Sequence, residues 1–276
     1  MKASVCITRY CESDSILIRC LNSIFNQKSI FLEVVVIDQK PTKKIENFCL
    51  KNKNKLPIIY RKTKPLGLSV ARNVGITESS NDFILYLDAD ATAEENWAYF
   101  LTKTLNRDRV AIAGSRILPL WGEREPIFLK SKVIWEQYSM LDFGELEKET
   151  TKIIGAGFGI DRKKTKNLVF NTRLGRFNGN LLGGEETEFC KKMRNKGFLI
   201  FYNGKSLVYH HVSKERTTLN WLIKRLFAAG RSRLNQGGYP KSTHKKNVYD
   251  LVFMPLIVVP YICGLIFQKL ITINND

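Results

Sequence analysis

In the first ninety residues, short β-branched, apolar runs alternate with stretches of helical spacing, and no other feature constrains the fold as strongly. Residues 3–8 read as a strand. Ile16, Leu17, Cys20, Leu21, Ile24 and Phe25 then recur at helical spacing over 14–26. LEVVVID at 32–38 is a near-continuous apolar run, as expected of a strand buried on both faces. A basic helix at 43–54, a strand at 56–60, a helix at 67–77 and a strand at 82–87 (DFILYL) continue the rhythm. Such alternation with short connections predicts an α/β fold with a mostly parallel central sheet and helices on both sides. Ligands of such sheets bind at the carboxyl ends of the strands. Here those ends are Thr8-Arg9-Tyr10, Asp38-Gln39 and Asp88-Ala89-Asp90.

Composition narrows the partners. Of 276 residues, 44% are hydrophobic and 25% charged, which excludes disorder, collagen and coiled coil. Lys and Arg number 44 against 26 acids, a formal charge of +18, so a polyanionic neighbour is expected: nucleic acid, anionic lipid or a phosphorylated substrate. Cys6, Cys11, Cys20, Cys49, Cys190 and Cys263 form no Cys-x-x-Cys pair, which argues against a zinc ribbon or disulfide scaffold and fits a reducing compartment. Because residues 3–8 already read as strand, no N-terminal signal segment is expected.

Beyond residue 90 the pattern loosens. Pro119 to Pro126 interrupts any helix, and Gly155, Gly157 and Gly159 mark a strand or loop where backbone approaches a ligand closely. A Gly- and Asn-rich loop at 173–184 leads to a helix at 185–195, and 198–202 and 206–211 read as two short strands. From 214 to 246 nine basic residues face one acid, Glu215. Leu219, Leu222, Ile223, Leu226, Phe227, Gly230 and Leu234 follow helical spacing, with Lys224, Arg225 and Arg231 largely on the other side. The helix is therefore amphipathic and basic. Residues 251–267 carry no charge. As a helix they would reach roughly 25 Å, slightly short of a hydrocarbon core of ~30 Å, and Pro255 and Pro260 would kink it.

Two carboxylate pairs carry the chemistry. Asp88 and Asp90 close an apolar strand at the ligand-binding edge, where a divalent cation could join them to a diphosphate. Glu185 and Glu186 open a helix. Glu186, Phe189, Cys190 and Met193 stand at i, i+3, i+4 and i+7, which places Glu186 at the start of the buried face, while Gly183 and Gly184 leave open space before it. His210 and His211 end a strand, and His244 lies in the basic linker. Trp121, Trp135 and Tyr138 suit core packing better than sugar stacking.

The runs VCITRYCESDSILIRCLNSIFNQ, EVVVID, GLSVARNVGI and DFILYLDADA resemble the N-terminal half of family 2 glycosyltransferases, and GAGFGIDRK, LGGEETEFCKKMRNKGFLIFY and VYHHVSKER continue the likeness across about residues 3–235. The resemblance implies a GT-A fold and an inverting, nucleotide-sugar-dependent transferase with a Mg²⁺ or Mn²⁺ cofactor. On that reading Thr8, Tyr10, Asp38, Arg72, Asn73 and Asp88 bind the donor, and Asp90, Asp88 and His210 serve the metal. Glu186, at the family's Glu-Asp position, is the base, beside Glu185. Gly155, Gly157 and Gly184 belong to the acceptor side. Where the family often carries a second Asp after Asp38, this chain has Gln39.

The expected activity is transfer of a sugar from a nucleotide-diphosphate sugar to a hydroxyl of a glycan or lipid-linked acceptor, in cell-surface polysaccharide synthesis. The alternatives are a basic nucleic-acid-binding protein and a nucleotidyltransferase. No nucleic-acid motif accompanies the charge, and Thr8-Arg9-Tyr10-Cys11-Glu12 is not a Gly-rich phosphate loop, so no nucleic-acid partner is expected. The division expected is a catalytic domain at 1–212, a basic juxtamembrane helix and linker at 213–247, and an apolar membrane-associated segment at 248–276. Lys241, Lys245 and Lys246 precede the apolar run and only Lys269 follows it, which predicts an anionic membrane surface as partner and the cytoplasmic face as location. The oligomeric state is open.

Overall fold

The structure, a computed structural model, describes every residue except 123–124, 167, 178–180, 182, 237–246 and 274–276. The strands are β1 (Lys2–Arg9), β2 (Phe31–Asp38), β3 (Ile58–Lys62), β4 (Phe83–Asp88), β5 (Ala91–Ala93), β6 (Val110–Trp121), β7 (Glu147–Glu149), β8 (Gly157–Asp161) and β9 (Leu199–Val212). The helices are α1 (Asp14–Phe25), α2 (Lys43–Asn52), α3 (Leu68–Glu78), α4 (Trp97–Leu105), α5 (Lys132–Trp135), α6 (Arg162–Thr165), α7 (Glu185–Asn195), α8 (Leu219–Gln236), α9 (Val248–Val252) and α10 (Met254–Ile273).

All nine strands join one sheet in the order β3-β2-β1-β4-β8-β6-β9-β5, with β7 also on β9. The first four strands are mutually parallel, whereas β8 runs antiparallel to both β4 and β6. Period-two alternation explains the unbroken apolar runs. Val34, Val36, Leu85 and Leu87 meet Leu17, Leu21, Ile45 and Trp97 of α1, α2 and α4 on one face. Val35, Ile37, Ile84 and Tyr86 meet Ala71, Phe189 and Met193 of α3 and α7 on the other. Each such side chain contributes about 1.5–3 kcal/mol on burial. With both faces covered, the open edge for a ligand is where the parallel strands end, at Arg9, Asp38 and Asp88.

Two strands differ from expectation. The segment expected as two strands is the single strand β9. Its register against β6 jumps from Ser115↔Asn203 to Arg116↔Leu207, so Gly204, Lys205 and Ser206 bulge without ending the strand. Strand β6 runs through Pro119. That proline lies beyond Gly114, where pairing with β8 has stopped and β9 alone supplies the continuous ladder, so its missing N–H disrupts nothing.

The C-terminal helices are anchored to the domain. Asn247 and Asp250 form a capping box at α9, and buried Asp250 also accepts from Ser131 Oγ (2.6 Å) and Val133 N (3.2 Å). Leu222 and Leu226 of α8 join Leu129, Ile134, Trp135 and Tyr138 in a third apolar cluster, with Trp121 and Trp221 against it, so the aromatics of the middle segment serve packing. Helices α8 and α10 form an antiparallel hairpin at very close range. A Cβ on Gly230 would fall 2.0 Å from Tyr261 O, and one on Gly264 2.0 Å from Phe227 O. Only glycine permits that approach. Pro255 sits in the first turn of α10, where its missing N–H is harmless, and the helix continues through Pro260. At 20 residues it spans about 30 Å. Its Met254–Ile271 window is long and apolar enough to cross a membrane and is 6% buried.

Candidate active site

Strand β4 delivers Asp88 to the ligand edge, the turn after it delivers Asp90, and β9, paired with β5 there, delivers His210. Ligand atoms of these three residues lie within 4.8 Å of one another. His210 is buried. Its Nε2 is 3.2 Å from Asp90 Oδ1, and its Nδ1 has no hydrogen-bond partner among the described residues. Arg216 Nη1 reaches Asp90 Oδ2 at 3.3 Å. Burial pushes Asp88 up to about 6 against the pull of Arg72. Burial acts the same way on Asp90, but His210 and Arg216 hold that carboxyl well below the usual range. Two carboxylates and an imidazole with an orphaned ring nitrogen, gathered this closely, are a donor set that fits a divalent cation.

Behind this cluster lies Arg72, on α3 and almost fully buried. Its Nη1 donates to Glu185 Oε1 (2.9 Å) and Glu186 Oε1 (3.0 Å). Its Nη2 lies 3.4 Å from Gly155 O and 3.6 Å from Asp88 Oδ1. The guanidinium also faces the rings of Phe158 and Phe170 at 5.4 and 5.6 Å. One cation thus ties the β4 acid to both acids of α7. Gly184 makes the sharp entry to α7 with φ 106°, a conformation that disfavours a side chain. Gly155 leaves space for the network, since a Cβ there would lie 2.0 Å from Glu186 Oε1. Burial and neighbouring Glu186 push Glu185 up to about 7. Burial would raise Glu186 too, yet Arg72 and backbone hydrogen bonds bring it below the ordinary range. Glu186 is the more open of the pair, with 16% of its side chain exposed against 3% for Glu185.

The other sequence-assigned residues lie around this network. Thr8 is half-buried and Tyr10 is 37% exposed at the strand edge. Asp38 is fully buried, accepting from Arg9 Nη1 (3.2 Å), Tyr60 Oη (2.7 Å) and Lys40 N (2.9 Å), which makes it part of the floor. Gln39 Oε1 accepts from the backbone of Leu66 and Gly67. Asn73 spends both ends of its amide on Phe170, whose N–H and C=O it binds at 2.8 and 2.9 Å, so it braces the loop there. Gly157 backs onto Val208 and Ser115 inside the sheet. Arg72, expected at the donor, holds the carboxylates of Asp88, Glu185 and Glu186. His244, Lys241, Lys245 and Lys246 lie outside the described residues.

A cavity of about 450 Å³ joins these groups. Asp88, Arg72, Glu185 and Glu186 line it, and so do Arg176 and, from α8, Arg225. Sequence reasoning set Arg225 and Arg231 on the outward face of α8. The structure turns Arg225 inward to Leu181 O and Gln137 O and engages Arg231 with Gln268 Oε1 and the Phe267 ring of α10, leaving Lys224 outward. Arg9, which also pairs with Asp14 at 2.6 Å, and Arg216 were missed as well. A buried arginine at a strand end or beyond it has no sequence signature apart from the acids it meets.

The model of the family described as glycosyl transferase family 2 matches residues 4–169. The chain is 29% identical over 206 residues to a glucosyl-dolichyl phosphate glucuronosyltransferase of Haloferax volcanii, covering 72% of this chain and 66% of that protein. It is 28% identical over 178 residues to the succinoglycan biosynthesis protein ExoM of Rhizobium meliloti, covering 63% and 54%. The chain thus spans between half and two thirds of these relatives' lengths. Among solved structures, GalNAc-T7 with UDP, GalNAc and Mn²⁺ superposes with a TM-score of 0.62 at 17% identity, over 93% of this chain and 54% of that one. The mannosyltransferase PcManGT of Pyrobaculum calidifontis, with GDP-Man and Mn²⁺, gives 0.63 at 16% identity, over 97% and 72%. At those identities the likeness establishes the fold.

Proposed function

Because the chain belongs to glycosyl transferase family 2, we propose that it moves a sugar from a nucleotide-diphosphate sugar to a hydroxyl of a glycan or lipid-linked acceptor, with inversion at the anomeric carbon. The observation that carries this reading is the cavity in which Asp88, one acid of the Asp88, Asp90 and His210 cluster, faces the same space as Glu186. Asp88, Asp90 and His210 would hold a divalent cation, whose charge stabilises a departing nucleoside diphosphate. Glu186, kept ionised by Arg72 and open to the cavity, accepts the proton of the acceptor hydroxyl as its oxygen attacks. Arg72 orients both glutamates and Asp88 so that base and donor edge keep a fixed relation. Thr8 and Tyr10 remain the side chains proposed to meet the nucleoside.

Incubating the full chain in detergent with UDP- and GDP-linked sugars and Mn²⁺ tests the reading. Metal-dependent release of nucleoside diphosphate is expected. Release of pyrophosphate from nucleoside triphosphates, with none from nucleotide-sugars, would move the protein to the nucleotidyltransferases.

We further propose that α10 seats the enzyme in the cytoplasmic face of a membrane. Its exposed apolar window supports this, as does the excess of lysine before it in sequence. Cell fractionation with and without residues 248–276 decides: full-length protein that is soluble at low salt rules the placement out.

A further inference from the structure

We infer that the cavity takes a phosphate-bearing lipid acceptor, with Arg225 as the side chain that binds its phosphate. The inference rests on the transferase reading above and adds the chemistry of the acceptor. Arg72, Arg176, Arg225 and the solvent-exposed Arg194 line the cavity, and Arg216 stands at Asp90 beside it. Arg72 is matched by Asp88, Glu185 and Glu186, and Arg216 by Asp90. Among the described residues, no carboxylate lies within ion-pair distance of Arg225 or Arg176. Arg225 Nη1 donates to Leu181 O and its Nε to Gln137 O. Carbonyls fix its direction but supply no counter-charge. Burial first, and then the nearby charges of Arg176 and Arg216, pull Arg225 down to about 9. A sheltered guanidinium without a counterion is costly, and its planar fork matches a phosphate.

Position assigns the anion to the acceptor. Asp88 and Asp90 sense Arg176, and Asp90 is paired with Arg216, which leaves that side to the donor diphosphate. The acids that Arg225 senses are Glu185 and Glu186. Its Nη2 lies 3.9 Å from where a Cβ of Gly183 would be, in the approach to the base. Past Arg225 the cavity wall is Ala229 and Ser232 of α8 and Tyr261 of α10. A phosphate held at Arg225 therefore has its hydroxyl-bearing sugar toward Glu186 and its lipid chain toward the exposed apolar surface of α10.

Calorimetry on the full chain in detergent, with farnesyl phosphate, farnesol and inorganic phosphate as probes, tests this. Farnesyl phosphate should bind at least tenfold tighter than either other probe. Arg225→Gln should weaken it at least tenfold, and Arg225→Lys, which keeps the charge without the fork, by less. Binding of UDP or GDP with Mn²⁺ should be unchanged in both variants. Should Arg225→Gln fail to fold, Arg225→Lys is the second variant, with a loss of at least threefold expected. Equal affinity for farnesol overturns the phosphate, and equal affinity for inorganic phosphate overturns the lipid. Loss of nucleotide binding in folded Arg225→Gln reassigns the arginine to the donor and also overturns the proposal. Failure of the wild type to release nucleoside diphosphate from any nucleotide-sugar would sink the transferase reading instead, a result read separately from farnesyl phosphate binding.

Discussion

Arg72 Nη1 donates to Glu186 Oε1 across 3.0 Å in a space from which solvent is largely excluded. The bond joins α3 to the first turn of α7 and sets the ionisation of the proposed base. Removing one partner of such a pair costs far more than the pair contributes, because the other charge stays buried. Arg72→Met should therefore cost about 3–5 kcal/mol of stability, read as a fall in the urea midpoint. Adding Glu185→Gln should return part of it, since one of the stranded carboxylates is gone. A loss under about 1 kcal/mol would mean that the network is not what holds α7.

Glu186→Gln keeps the size of the side chain and removes the proton acceptor. Transfer should fall by a factor on the order of 10² or more, while nucleoside diphosphate still binds. Turnover and calorimetric binding measured on one preparation separate the two effects. Binding lost together with turnover would place Glu186 in the donor site.

Asp90→Asn removes one carboxylate of the proposed cation site and releases Arg216 from its partner. Mn²⁺ titrated in the presence of UDP or GDP should then give no saturable heat. Metal-dependent nucleotide binding that survives intact would remove Asp90 from the cation site.

Glu33 offers a test of the fold away from the cavity. Its buried carboxylate accepts from Ser4 Oγ, Ser80 N and Ser80 Oγ. Burial raises its pKa, but these hydrogen bonds together bring it below the value in an unfolded chain. Its contribution is therefore present above the unfolded pKa near 4.5 and is lost as pH falls through the lower folded value. Glu33→Gln should cost roughly 1.5–3 kcal/mol at pH 7 and flatten the acid limb of the stability curve below pH 5. Chemical denaturation at pH 7 and pH 4 checks this, and an equal loss at both would contradict it.

What could be read in advance follows the range of the forces involved. The strand–helix alternation and both acid pairs were legible because local periodicity places them: Asp88 at the end of FILYL and Glu186 at the head of a 3.6-residue stripe. The destination of Arg225 was not. A basic helix has two polar flanks, and sequence does not say which of them meets the catalytic domain. Asn73 and Gly157 sit inside recognised motifs, yet their partners, Phe170 and Val208, lie 97 and 51 positions away in the chain. Strand β6 was obscured by Pro119, whose tolerance depends on which neighbour stops pairing, a fact of the assembled sheet.

The hairpin of α8 and α10 has a further consequence. Tyr261 lies on the apolar helix and also closes the cavity that holds Glu186, and the glycine crossings at Gly230 and Gly264 leave the two helices no slack to part. The proposed anchor and the cavity wall are one element. Trimming the chain ahead of α10 to make a soluble enzyme would therefore breach the reaction chamber. Such a protein should still cleave its donor, with water entering where the acceptor is meant to sit, so a preparation that looks active by nucleotide release would have lost its selectivity.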